Sequence, residues 1–104
     1  MKIWIDDVRE APADHVGFKE INLALRFITT NIDKIDVIDL DHDAGDYRRA
    51  GKDDYIVILK ELERLTKRGK IDCSHVAFKI HSMNPVGVQN MRAIIQTNGW
   101  KESF

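Results

Sequence analysis

The sequence predicts a layered α/β domain built around a mainly parallel sheet of four to five strands. Short apolar runs rich in β-branched residues alternate with stretches whose apolar residues recur at helical spacing. Strands that alternate with helices form parallel sheets, because each helix carries the chain back to the same edge of the sheet. A composition of 43% hydrophobic and 32% charged residues is that of an ordinary globular chain. We therefore expect a single domain over residues 1–104.

Local patterns predict the elements of the first half. Residues 2–5 (KIWI) form a strand that stops at two aspartates, and a loop containing a proline follows. Residues 16–21 are predicted as a second short strand. Asn22 is expected to cap a helix that ends near Asn31, because apolar residues recur at helical spacing between them. The run IDVIDL, residues 35–40, predicts a central strand because it is rich in β-branched residues.

The second half continues the alternation after a polar loop, HDAGDYRRAGKDD. Residues 55–65 place tyrosine, isoleucine and leucine on one helical face, which predicts the longest amphipathic helix. Residues 75–80 (HVAFKI) read as a buried strand. Asn84 and Pro85 predict the start of the last helix, because asparagine caps helices and proline fits the first turn. A short edge strand is expected at residues 100–104.

Composition also excludes several classes of function. A formal net charge of −1 argues against general DNA binding and against binding to a membrane surface, since both need a basic excess. Cys73 is the only cysteine, so an internal disulfide is impossible and a reducing compartment is expected. No run approaches the roughly 20 apolar residues of a membrane span, and no signal peptide is recognisable. We expect a cytoplasmic protein without a membrane partner; the sequence does not indicate its oligomeric state.

Three predicted strands end in polar side chains that can carry chemistry. Carboxyl ends of parallel strands meet at one edge of the sheet, where open α/β sheets bind their ligands. We therefore expect these side chains to form one site. They are Asp6 and Asp7 after the first strand, Asp41, His42 and Asp43 after the central strand, and His81, Ser82 and Asn84 after the next.

Phosphate chemistry accounts best for these residue types together. Clustered carboxylates repel one another unless a cation or shared protons relieve them, and Mg²⁺ or Mn²⁺ prefers oxygen ligands. His42 and His81 could move protons near neutral pH or ligate a softer ion. Arg9 could neutralise a phosphate oxygen, and Ser82 could donate a hydrogen bond to an anion beside the start of a helix.

Several of these residues also have simple structural interpretations. A lone aspartate after a strand is usually a turn or cap residue, and Asn84 is first of all a helix cap. His15 and His75 lie away from the polar edge and are expected to be structural. Asp39 lies deeper along the central strand and is either a paired structural acid or part of the site. Arg48 and Arg49 in the polar loop are either solvated or able to reach an anionic substrate.

The three polar segments also carry a family resemblance. They read DDVR at residues 6–9, LDHDAG at residues 40–45 and HSMNPVG at residues 81–87. In this order they resemble the motifs of the cyclic-phosphate-processing receiver-like family, a divergent branch of the response-regulator receiver domains. The resemblance covers nearly the whole chain and implies a three-layer, receiver-like (flavodoxin-like) fold.

The resemblance assigns roles and also marks departures from ordinary receivers. It implies that Asp6 and Asp7 are metal-binding acids and that Ser82 contacts phosphoryl oxygen. Asp41 falls near the phosphoacceptor position, although counting alone leaves Asp39 open. The lysine that ordinary receivers carry after a fifth strand has no convincing match here, Lys101 included. The first receiver helix is shortened, and the site histidines have no place in a phospho-relay receiver.

Two hypotheses from different classes follow. The first is a metal-dependent hydrolase of cyclic phosphates, in which aspartates hold Mg²⁺ or Mn²⁺. One of the two histidines acts as the base and the other as the acid, and the sequence leaves open which is which. Its expected partners are a small phosphorylated ligand or an RNA end, because the resemblance implies cyclic phosphates from RNA repair or ADP-ribose metabolism. The second is an atypical receiver-like module that senses phosphate or binds a protein without catalysis. For the enzyme, the predicted metal ligands are Asp6, Asp7 and Asp41, the catalytic residues His42, His81, Asp43 and Arg9, and the substrate-binding residues Ser82, Asn84 and again Arg9.

Overall fold

The computed structural model describes residues 1–48 and 53–104, which form a five-stranded, all-parallel sheet and three α-helices. The strand order β2-β1-β3-β4-β5 is that of flavodoxin-like domains and confirms the predicted fold class. The strands are β1 (Lys2–Ile5), β2 (His15–Phe18), β3 (Val37–Leu40), β4 (Ala77–Ile80) and β5 (Lys101–Glu102). The helices are α1 (Ile21–Asn31), α2 (Ile56–Lys67) and α3 (Pro85–Thr97), with short 3₁₀ turns at Ile32–Lys34 and Gly45–Tyr47.

The core lies between the helices and one face of the sheet. Alternate strand residues point to this face, so Ile3 and Ile5 of β1 and Ile38 and Leu40 of β3 are fully buried. Burying one such side chain stabilises the fold by about 1.5–3 kcal/mol. Phe78 continues the same row on β4, where the ring of Trp100 stacks on it at 4.9 Å. These buried side chains therefore fix β1, β3 and β4 in the core directly before the polar residues that follow each strand.

All three helices cover the same face of the sheet. The crossovers through α1, α2 and α3 all run toward β5, and right-handed crossovers then place their helices on one side. Accordingly, α2 contacts both α1 and α3. The other face carries Lys2, Trp4 and Lys79, and β1 is joined to β2 only by the irregular residues 6–14. The predicted third layer is thus reduced to this loop, because the helix of the first crossover is missing.

The start of α1 differs from the sequence prediction. The second strand ends at Phe18 rather than at residue 21, because Ile21 is the first helical residue and is fully buried. Glu20, not Asn22, caps the helix. Its carboxylate accepts hydrogen bonds from the backbone N–H groups of Asn22 at 3.1 Å and Leu23 at 2.9 Å. The longer glutamate side chain therefore performs the role that asparagine usually performs.

The later boundaries agree more closely with the sequence. Asn84 caps α3 as predicted, since its Oδ1 accepts a hydrogen bond from the Gly87 N–H at 3.0 Å, and Pro85 is the first helical residue. The last strand is shorter than predicted, because Trp100 turns into the core and only Lys101–Glu102 pairs with β4. No helix in residues 1–48 and 53–104 has the length and apolar character required to cross a membrane.

Candidate active site

The predicted polar residues meet at the carboxyl edge of β1, β3 and β4. Parallel pairing continues one residue beyond the strands: the Asp41 N–H donates to Ile5 O at 2.9 Å and the His81 N–H to Leu40 O at 3.0 Å. The Asp6 N–H likewise donates to Phe18 O of β2 at 3.1 Å. These bonds place the first polar residue of each strand end side by side, as the sequence predicted.

Asp6 is the most strongly held carboxylate of the edge. Its side chain is fully buried, and Oδ1 accepts hydrogen bonds from the backbone N–H groups of Val8 at 2.8 Å and Arg9 at 2.9 Å. Oδ2 lies 2.9 Å from Arg9 Nε and 2.9 Å from His81 Nε2. Burial alone would raise the pKa of Asp6, but these donors outweigh burial and lower the pKa below its usual range. Asp6 therefore stays charged, with both oxygens occupied.

Arg9 is an internal counter-ion that joins two strand ends. Besides its contact with Asp6, its Nη2 lies 3.4 Å from Asp41 Oδ2 and donates to the backbone oxygen of His81 at 3.1 Å. The indole Nε1 of Trp4 donates to the Arg9 backbone oxygen at 3.1 Å, which fixes the loop that carries the guanidinium. About half of the Arg9 side chain remains exposed, so a ligand can approach it.

His81 is fixed on three sides. Its Nδ1 lies 2.5 Å from Asp39 Oδ1 and its Nε2 lies 2.9 Å from Asp6 Oδ2. One face of the ring stacks on the indole of Trp4, with centroids 3.9 Å apart and planes within 7°. Neither nitrogen is left for a substrate. Asp39 is thus paired with His81, as the first of its two expected roles requires.

Trp4 is a site residue that sequence reasoning missed. It was assigned only to a predicted strand, yet it holds His81 by stacking and Arg9 by a hydrogen bond. The sequence could have indicated this role, because side chains two residues apart in a strand point to the same face and Trp4 precedes Asp6 by two residues.

His42 has a different environment from His81. Its Nδ1 lies 2.8 Å from Asp43 Oδ1, and Asp43 is held in turn by the amide of Asn84 at 3.2 Å. The hydrogen bond with His42 lowers the pKa of Asp43, so this carboxylate stays charged. No described residue forms a hydrogen bond with His42 Nε2. The ring packs against Gly87 at the start of α3, where any side chain would overlap it.

Asp7 is the least compensated acid of the group. Among the described residues, only its own backbone N–H donates a hydrogen bond to the carboxylate. Burial raises its pKa, and the nearby charges of Asp6, Asp41 and Asp43 raise it further. Gly45 turns beside it at a φ of 56°, and a Cβ there would overlap the carboxylate. Negative charge at Asp7 is therefore unfavourable unless a cation approaches.

A comparison with family models identifies the domain. The model of the cyclic-phosphate processing receiver domain matches residues 1–97. The chain belongs to this family. The match extends from β1 through the end of α3 and contains every predicted site residue. Neither the comparison with curated proteins nor the comparison with solved structures gives a match.

The donor atoms of this receiver domain suit a hard divalent cation. One carboxylate oxygen from each of Asp6, Asp7 and Asp41 lies within 4.8 Å of the others. Oxygen ligands of this kind suit Mg²⁺ or Mn²⁺. Arg9 and His81 occupy Asp6, so Asp7 and Asp41 have more capacity left for a cation. Among the described residues, Asp41 Oδ1 accepts one hydrogen bond, from the His42 N–H at 2.7 Å.

The remaining candidate residues are Ser82 and the arginines of the polar loop. Ser82 Oγ accepts the Asn84 N–H at 3.1 Å, which leaves its own O–H able to donate. Arg48 Nε lies 2.9 Å from Asp54 Oδ1, so Arg48 is paired rather than simply solvated. Arg49 lies outside the described residues. Of the two histidines expected to be structural, His15 pairs with Asp14 and His75 Nε2 lies 2.8 Å from Ile32 O. Lys101, which was compared with the lysine of ordinary receivers, is exposed on β5.

Substituting Gly87 by alanine tests the packing behind His42. Alanine favours a helix by roughly 1 kcal/mol over glycine, which offsets part of the about 1–3 kcal/mol that the overlap with the imidazole would cost. The new Cβ would nevertheless displace the imidazole and break its contact with Asp43. The ring resonances of His42 in ¹H–¹³C spectra should therefore move in Gly87→Ala. They should stay in place in Val86→Ala, a control at an exposed position in the same helical turn. Unchanged His42 resonances in both variants would contradict the described packing.

Proposed function

We propose that this receiver domain hydrolyses cyclic phosphodiesters with the help of a divalent cation. One observation carries the proposal: His42, whose Nε2 forms no hydrogen bond with a described residue, stands at the same sheet edge as an under-compensated carboxylate group. A proton acceptor beside oxygen ligands for a cation is the arrangement that phosphodiester hydrolysis requires. When bound, the cation would supply electrostatic stabilisation of the phosphoryl oxygens.

His42 takes the proton from the attacking water in this proposal. Asp43 holds Nδ1, so the opposite nitrogen, Nε2, faces the reaction. Water oxygen bonds to phosphorus, its proton passes to Nε2, and the bond from phosphorus to one ribose oxygen breaks. That oxygen takes up a proton from solvent, His42 releases its own proton to solvent, and the product is a phosphomonoester. One water is consumed for each ring that opens.

His81 is given a positioning role instead of a proton-transfer role. Both of its ring nitrogens face carboxylates, and its ring is stacked on Trp4. The sequence left the acid and base roles of the two histidines exchangeable. The different environments of the two rings support a division of labour, in which His81 orients Asp6 and His42 contacts the reacting water.

Arg9 and Ser82 complete the proposed phosphate site. The guanidinium of Arg9 already spans Asp6 and Asp41, and its exposed half can donate to a phosphoryl oxygen. The Ser82 O–H, which donates to no described residue, lies in the loop before α3, where backbone N–H groups favour an anion. Hydrogen bonds that strengthen as charge develops on the phosphoryl oxygens would lower the barrier.

The first prediction from this proposal concerns Asp7 and the cation. The folded pKa of Asp7 is raised, so its negative charge at neutral pH opposes folding, and this cost grows as pH rises through that pKa. Asp7→Asn should therefore raise the melting temperature in EDTA, by about 4–8 °C if roughly 1 kcal/mol of repulsion is removed. Mg²⁺ or Mn²⁺ at about 100 times its Kd should stabilise the original chain by about 2.7 kcal/mol, and Asp7→Asn should lose most of this gain.

Asp33→Asn is a control, because Asp33 is an exposed acid in the 3₁₀ turn after α1. It should respond to EDTA and to the cation as the original chain does. Melting temperatures of the original chain that are equal with and without millimolar cation would remove the basis of the metal site.

The second prediction concerns turnover. The substrates are nucleoside 2′,3′-cyclic phosphates, an oligoribonucleotide with a 2′,3′-cyclic end and ADP-ribose cyclic phosphate, each with Mg²⁺ and with Mn²⁺. We expect phosphomonoester product from at least one of them. His42→Asn should lower kcat by about 10²–10⁴, as expected for loss of a general base, and should remove the corresponding limb of the pH profile. His81→Asn should lower kcat but keep that limb.

The opposite assignment of the histidines would show itself in the same profiles. Loss of the limb in His81→Asn, with the limb retained in His42→Asn, would contradict the division of labour. Absence of product from every substrate with either cation would contradict hydrolysis. The non-catalytic alternative, phosphate sensing without turnover, would then be favoured by a saturable Tm shift with an unreacted cyclic nucleotide.

A further inference from the structure

A second concavity adjoins the carboxylate edge and has no part in the chemistry proposed above. A cleft of about 260 Å³ opens between the loop after β1 and the end of β2. Asp6 and Arg9 belong both to this cleft and to the proposed phosphate site. A ligand held by its phosphate at the edge would therefore extend its other end into the cleft. The lining residues used below are Trp4, Glu10, Gly17 and Lys19.

The shape of the cleft suits one flat ring system. Its volume is below the roughly 300–1,000 Å³ of pockets that hold drug-sized ligands. Trp4 forms an aromatic wall that cannot easily turn, because it is stacked on His81 and hydrogen-bonded to the Arg9 backbone. Gly17 lies beside Trp4 in the strand register, and a Cβ there would approach the Ala11 Cβ to 3.0 Å. The absence of a side chain at Gly17 thus keeps the cleft open.

The exposed charges of the cleft are of both signs and can form hydrogen bonds with a polar ring. Glu10 and Lys19 are exposed and, within the described residues, neither side chain forms a hydrogen bond or an ion pair. They supply one acceptor and one donor in addition to the charges of Asp6 and Arg9. Asp6 is fully buried and paired, so the charges that a ligand meets here are those of Glu10, Arg9 and Lys19. A nucleobase can use both signs of charge, because it offers donors and acceptors on the edge of a flat ring. Bases are recognised in proteins by such contacts together with aromatic side chains.

We propose that this cleft binds the base of a nucleoside cyclic phosphate. The base packs beside Trp4, while Glu10 accepts a hydrogen bond from an exocyclic amino group and Lys19 donates one to a ring carbonyl. Cytosine offers both groups. The assignment rests on the proposed function for its phosphate-binding end and adds that the substrate is a nucleotide rather than a simple sugar phosphate.

Two substrates that differ only in the base provide the test. They are cytidine 2′,3′-cyclic phosphate and the 2,3-cyclic phosphate of methyl riboside, which has no base. We expect kcat/KM to be about tenfold or more higher for the nucleotide than for the compound without a base. A difference of this size is comparable to the effect of removing one base–aromatic contact. Gly17→Val fills the cleft and should reduce this ratio toward one. Val16→Leu, on the same strand but facing the other side, is the matched control and should keep the ratio.

A binding measurement separates failure of the subsite from failure of the proposed function. In ¹H–¹⁵N spectra, cytidine 3′-monophosphate should shift the amides of Gly17 and Lys19, and methyl riboside 3-phosphate should not. Turnover with equal kcat/KM for both cyclic compounds, and no such shifts, would overturn the subsite and leave the hydrolase intact. Base-dependent shifts without turnover would support the subsite and contradict the hydrolase. Shifts of the same amides by inorganic pyrophosphate alone would overturn the choice of a base over a second phosphate.

Discussion

The carboxylates that end β1 and β3 make a concentration of negative charge on which the rest of the site depends. Asp6, Asp39 and Asp41 are buried, and buried charges persist only when they are paired. Arg9 and His81 supply those pairs, and Trp4 holds both of them. The arrangement compensates the deep acids and leaves the shallower Asp7 facing like charges. A cation and a phosphate ester are the ligands that we propose for this edge.

The same constraint separates two histidines that look alike in the sequence. His81 has both ring nitrogens paired with carboxylates, whereas His42 Nδ1 is paired with Asp43 and its Nε2 forms no hydrogen bond with a described residue. Gly87 and Gly45 then make room, because a side chain at either position would overlap His42 or Asp7. The site thus has two parts, a set of paired charges along the sheet and, beside the start of α3, the part that we propose to be reactive. Membership of the cyclic-phosphate processing receiver domain family agrees with a phosphate ligand at this edge.

Much of this arrangement was predictable from the sequence, because strand periodicity and polar strand endings are local patterns. They located the sheet edge, the cap at Asn84 and the residues that meet there. The cap at Glu20 was not predictable from cap preferences, since it depends on the longer reach of a glutamate. The roles of Trp4 and His81 were also hidden, because stacking between neighbouring strands depends on their register. The helices form a single layer because β1 and β2 are joined by a short loop instead of a helix. That this leaves the second face of the sheet without a helix becomes clear only when the order of all five strands is known.

The central claim is that a divalent cation binds at the carboxylate edge, next to His42. Paramagnetic broadening by Mn²⁺ in ¹H–¹⁵N spectra tests it most directly, because the effect falls steeply with distance from the ion. We expect the amides of residues 6–8, 41–45 and 81–84 to broaden at the lowest Mn²⁺ concentrations, while α2 residues remote from the edge, such as Lys67, stay sharp. Broadening that begins instead at exposed acids such as Asp72, or that is uniform and weak, would contradict the account.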